Sequence, residues 1–91
     1  MELKGPQQVL IYEYVENAVE VRAPFREEHL GLVSEWKADG RLLAGGATGD
    51  PPTGALIVFR EGEDVRAFVD ADPYVQNGVA TSWRVEPWNV V

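Results

Sequence analysis

Apolar positions along the chain come in short runs of two periods. Val9–Val15 (VLIYEYV) is dense in β-branched and aromatic residues, which predicts a strand. Phe25, His29, Leu32, Val33 and Trp36 recur at helical spacing and predict a helix from about Pro24 to Ala38. Pro24 suits a first turn, Glu27 and Glu28 lie near the positive helix end, and Asp39-Gly40 supplies the stop. Arg41–Ala47 (RLLAGGA) and Ala55–Phe59 (ALIVF) predict two more strands, joined by the Gly/Pro turn Thr48–Thr53 into an antiparallel hairpin. Val65, Phe68 and Val69 mark a second amphipathic helix within Glu63–Ala71, ended by Pro73, and Val79–Trp88 predicts the last strand. Glu16–Ala23 reads as a polar connector. No repeat, linker or low-complexity segment interrupts the chain.

The predicted order is β-α-β-β-α-β. Two right-handed βαβ units joined by a hairpin give a ferredoxin-like α+β fold, with both helices on one face of an antiparallel sheet. The other face should then be wet, and its strands should alternate apolar with polar. They do not. Val9 and Ile11 oppose Leu10, Tyr12 and Tyr14, while Leu56 and Val58 oppose Ala55, Ile57 and Phe59. Leu42 and Leu43 likewise face opposite sides. An apolar second face is an association surface, and the simplest cover is a second copy of the chain. A homodimer is therefore expected.

Composition narrows the chemistry. The 91 residues are read as a single domain spanning 1–91, with a thin core for which oligomerisation is one common remedy. The absence of cysteine excludes disulfides and thiolate metal clusters, and a lone histidine excludes a multi-histidine metal site within one chain. No metal and no cofactor are expected, since no cofactor motif is present. Ala44-Gly45-Gly46-Ala47 lacks the spacing of a phosphate loop and precedes no helix. The net charge of −7 argues against nucleic acid and anionic membranes, which need a positive footprint. Met1–Gln8 lacks the apolar core of a signal peptide, and no run approaches the roughly 18 apolar residues of a membrane span, so a cytoplasmic setting is expected.

The candidate chemistry centres on His29, which lies on the apolar stripe of the first helix. It reads either as a buried histidine hydrogen-bonded to a neighbour or as a general acid–base group. Arg26, one turn earlier, reads as a surface ion pair or as an anchor for an anionic ligand. Asp70 and Asp72 sit at the C-terminal end of the second helix, where the helix dipole disfavours anions, so each must be solvated or paired with a cation. Asp72 is either a turn residue before Pro73 or the partner that orients the His29 imidazole. Gly45 would line a pocket beside His29. Trp36, Trp83, Trp88 and Tyr74 read as packing or interface residues.

Several short elements together resemble a known family. They are Arg26-Glu27-Glu28-His29-Leu30 (R-x-x-H-L), Gly40-Arg41-Leu42-Leu43-Ala44-Gly45 (G-x-L-x-x-G), Asp72-Pro73-Tyr74 with Gly78, and Val85-Glu86-Pro87-Trp88. In order and spacing the chain resembles the YciI-like, or YCII-related, family over nearly its whole length. The resemblance implies a dimeric α+β-barrel and a site centred on His29 and Asp72, with Arg26 nearby; Gly45 and Tyr74 are taken beside Arg26 as candidate ligand-side residues. It also brings in a dehydrochlorinase-type activity on chlorinated aromatic diols. The chain departs from the family at Gly46, where a proline often stands, in its short Thr48–Thr53 hairpin, and at Ala55, which offers no hydroxyl. Three readings follow: an acid–base enzyme for elimination or isomerisation of a small polar or aromatic anion, a non-catalytic ligand-binding module, or a structural dimer.

Overall fold

The computed structural model describes residues 3–91; Met1 and Glu2, at the start of the polar N-terminus, lie outside the described residues. Strands β1 (Gly5–Tyr14), β2 (Leu42–Thr48), β3 (Gly54–Arg60) and β4 (Ala80–Val90) form an antiparallel sheet in the order β2-β3-β1-β4. Helices α2 (Arg26–Ala38) and α3 (Val65–Ala71) supply the crossovers. This is the ferredoxin-like arrangement. β1 and β3 hold the centre because they carry the most continuous apolar runs, and Leu10 pairs with Ile57 while Tyr12 pairs with Ala55.

Three differences from the pattern-based elements bear on the site. The connector after β1 is not a simple loop. It forms a short helix, α1 (Ala18–Arg22), and a 3-10 turn (Ala23–Phe25), with Ala18 buried. The alternation of apolar and polar residues there is too short to register as periodic. The second difference follows α3. Pro73 ends that helix and also starts another, α4 (Pro73–Gln76), because a fixed φ suits both an extended residue before proline and a first helical turn after it. The third is a bulge in β2 between Leu42 and Ala44. Leu42, paired with Phe59, is buried on the helix side, and Ala44, paired with Val58, lies on the other.

The core lies between sheet and helices. Phe59 and Phe68 are fully buried and pack edge-on with Trp36, ring centroids 5.1–5.8 Å apart. Asp64 caps α3 by accepting from the Ala67 amide at 3.1 Å. Gly40 ends α2 with φ 81, a conformation glycine adopts without penalty. Gly54 has a different reason: a Cβ there would collide with the Tyr12 carbonyl oxygen. Gly54 thereby lets β3 close against β1 where Tyr12 enters the site.

The sheet face away from the helices carries Val9, Ile11, Leu56 and Val58 on the central strands. Leu56 is 42 % exposed and Trp88, on β4, is 40 % exposed. Among the described residues no helix is long and apolar enough to cross a membrane.

Candidate functional site

Asp72 is the organising residue. It is fully buried, and its carboxylate is met from three directions. The Tyr12 hydroxyl, from β1, donates to Oδ2 at 2.7 Å. His29 Nδ1, from α2, lies 2.8 Å from Oδ1. The Tyr74 amide donates to Oδ1 at 3.0 Å. Asp72 therefore does not sit as a disfavoured anion at the end of α3, as its position in the chain implies. Its extended backbone makes it the N-cap of α4, where free amide donors turn towards a carboxylate. Asp70, by contrast, points outward and pairs with Arg66 at 3.1 Å.

A carboxylate only accepts, so Nδ1 of His29 carries a proton, and the neutral form of the ring keeps its lone pair on Nε2. Nε2 has no hydrogen-bond partner among the described residues, although His29 as a whole is only 7 % exposed. Tyr74 fixes the ring plane. Its own ring stacks on the imidazole at 3.7 Å with an interplanar angle of 5°. Tyr14 packs edge-on against Tyr74 at 6.0 Å. The Tyr74 hydroxyl is buried and has no partner.

These side chains border a cavity of about 200 Å³. His29, Tyr14, Tyr74, Arg22 and Arg26 give it a polar side, while Leu30, Val33 and Ile57 give it an apolar one. Gly45 lines it too. A Cβ at Gly45 would stand 3.5 Å from Ile57, an ordinary contact, so the glycine's effect is to leave open space rather than to permit a close approach. A larger hollow of about 480 Å³, lined by Glu16, Glu20 and Pro51–Thr53, shares Tyr14 with this cavity but includes neither His29 nor Asp72.

Two phenols take their ionisation behaviour from this setting. Burial raises the Tyr12 pKa well above the ordinary phenol range, and the adjacent Asp72 charge and hydrogen bond add to it. Tyr14 is pushed up to about 12, chiefly by burial and then by Tyr74, against the opposing pull of Arg22 and Arg26.

The structure places His29, Asp72, Arg26, Gly45 and Tyr74 near one another, and leaves Asp70 outside with Arg66. Tyr74 stacks on His29 and lines the cavity as well as packing. Three residues escaped sequence reasoning. Tyr12 and Tyr14 were counted only as strand residues, and Arg22 lay in the supposed connector. The i, i+2 spacing of the tyrosines on the helix side of β1 was the one available signal. Arg26 is exposed, and Arg26→Ala should change stability by no more than about 0.5 kcal/mol in urea unfolding. A larger loss would make it a structural residue.

Fold and site together define a ferredoxin-like α+β domain whose helix–sheet cavity is bordered by the histidine end of a Tyr–Asp–His hydrogen-bond chain. The sequence profile of the YCII-related domain matches residues 7–89, and the chain belongs to that family. No curated protein matches it. Among solved structures it is similar to the 5-chloro-2-hydroxyhydroquinone dehydrochlorinase of Burkholderia phenoliruptrix AC1100, in complex with 2,5-dihydroxybenzoquinone. The TM-score is 0.75 at 22 % identity, covering 91 % of this chain and 93 % of that one.

Proposed function

We propose that the protein is a small acid–base enzyme, acting by elimination, isomerisation or a related proton transfer on a small polar or aromatic anion. In this reading His29 Nε2 takes a proton from an O–H or C–H of the substrate. Asp72 stabilises the imidazolium through Nδ1–H, and His29 then returns the proton to a leaving group or to a second atom of the substrate. Arg26 holds the substrate's charge. The observation that carries the reading is the imidazole fixed by Asp72 on one nitrogen and unpartnered on the other, at the edge of a cavity. The ligand of the similar dehydrochlorinase, a six-membered ring, is of a size that suits this volume.

The test is proton exchange and halide release, followed by NMR and chloride detection, on a panel of monocyclic hydroxylated and chlorinated aromatic acids and diols in D₂O. The wild type should turn over at least one compound, and His29→Asn should lower the rate by about 10²–10⁴-fold without altering unfolding. Retention of ligands without turnover by the wild type would favour a binding module instead.

The active unit in this proposal is a homodimer formed through Val9, Ile11, Leu56 and Val58. Light scattering at micromolar concentration should give twice the 10.1 kDa chain mass, and Leu56→Glu should reduce it to one. A wild-type monomer would end this part of the proposal.

A further inference from the structure

The arginines divide into two groups. Arg41, Arg60, Arg66 and Arg84 each have a carboxylate partner, Asp39, Glu63, Asp70 and Glu86 respectively. Arg22 and Arg26 have none among the described residues, and these two line the His29 cavity. With fifteen acids against eight bases, partners for them are plentiful in the chain. Two guanidiniums without a close carboxylate partner among the described residues thus put positive charge on one cavity.

A second observation points to the same place. The buried Tyr74 hydroxyl lacks a partner, on a ring that lines this cavity and stacks on His29. A buried hydroxyl left unpaired is costly, so a ligand oxygen there would satisfy it. Size and lining limit what that ligand is. A cavity of roughly 150 Å³ holds benzene, so about 200 Å³ takes one six-membered ring with a substituent. Leu30, Val33 and Ile57 suit a hydrocarbon body, which argues against a bare inorganic anion. The planar fork of a guanidinium matches the two oxygens of a carboxylate.

We infer that the cavity takes a carboxylate carried on a body about the size of one six-membered ring. Arg22 and Arg26 hold the carboxylate, and the Tyr74 hydroxyl donates to an oxygen of the ligand. The body lies on the apolar wall, within reach of His29. This rests on the cavity being the active site proposed above, but it concerns binding alone.

The test is NMR titration of the full chain with benzoate, benzamide and inorganic phosphate, reading the His29 ring and the arginine Nε–H resonances. Benzoate should give saturable shifts at both, with benzamide and phosphate at least about tenfold weaker because each lacks one half of the match. Arg22→Gln and Arg26→Gln should each weaken benzoate by about tenfold, with unfolding unchanged. Saturable benzoate binding by the wild type in the absence of any proton exchange or halide release would leave this result standing while the acid–base reading fails. Equal affinity for benzamide or phosphate, or undiminished binding by Arg22→Gln, overturns the inference. Wild-type proton exchange without benzoate binding counts against the carboxylate alone.

Discussion

Asp72→Ala should lower the unfolding free energy by about 3 kcal/mol or more. The substitution strands three donors at once: the Tyr12 hydroxyl, His29 Nδ1–H and the Tyr74 amide. Each buried donor left without an acceptor costs about 1–3 kcal/mol. A domain of this size has only about 5–14 kcal/mol in total, so the loss should be visible as a large drop in the urea midpoint at unchanged slope. Asp72→Asn should cost less. Its carbonyl oxygen still accepts from His29 or the Tyr74 amide, and the Tyr12 oxygen can accept from its NH₂. The two variants therefore separate the hydrogen-bond network from the charge: both should impair acid–base chemistry, but only the alanine should unfold easily. An unchanged midpoint for Asp72→Ala would mean that the three donors do not depend on this carboxylate.

Stability should also fall steeply in alkali, by about 4 kcal/mol between pH 9 and pH 12. In the unfolded chain Tyr12 and Tyr14 ionise near pH 10. In the folded protein both stay neutral to higher pH, Tyr14 until about 12 and Tyr12 beyond that. Over this window the unfolded state releases protons that the folded state keeps, so stability is complete below about pH 10 and declines as pH rises. Tyr14 is partly exposed and contributes the smaller share, roughly 1–2 kcal/mol after allowance for solvent screening. Urea midpoints measured from pH 8 to 12 read the slope directly. Tyr12→Phe should flatten it, because the phenylalanine has no proton to lose in either state. A pH-independent midpoint in the wild type would show that Tyr12 ionises freely and is not held against Asp72.

His29, Asp72 and Arg26 stood out in the sequence because each is a residue type whose placement needs a reason. One is a lone imidazole on an apolar stripe, one an acid at a helix end, and one a cation a turn before the imidazole. The physical reason inferred for Asp72 was nevertheless wrong. Spacing placed it at the unfavourable end of α3, whereas Pro73 starts α4 and turns Asp72 into its N-cap. Four helical residues are too few to leave a periodic signature. Arg22 was missed for the same reason, since the five-residue α1 that carries it has one buried side chain, Ala18.

By itself the sequence determined the order of the four strands and the two main helices, the ferredoxin-like topology and the apolar second face. These depend on local period and on connection rules that act over short distances. The meeting of Tyr12, His29, Asp72 and Tyr74 was decided only by tertiary structure. Tyr12 lies 60 positions from Asp72 and His29 lies 43 from it, and whether they touch depends on strand register and on how deeply α2 sits on the sheet. A one-residue slip in β1 would turn Tyr12 to the opposite face. The same packing left Arg22 and Arg26 without a carboxylate partner among the described residues of an acidic chain. Which charges remain unpaired is set by distances of a few ångströms between elements, and no count along the chain contains them.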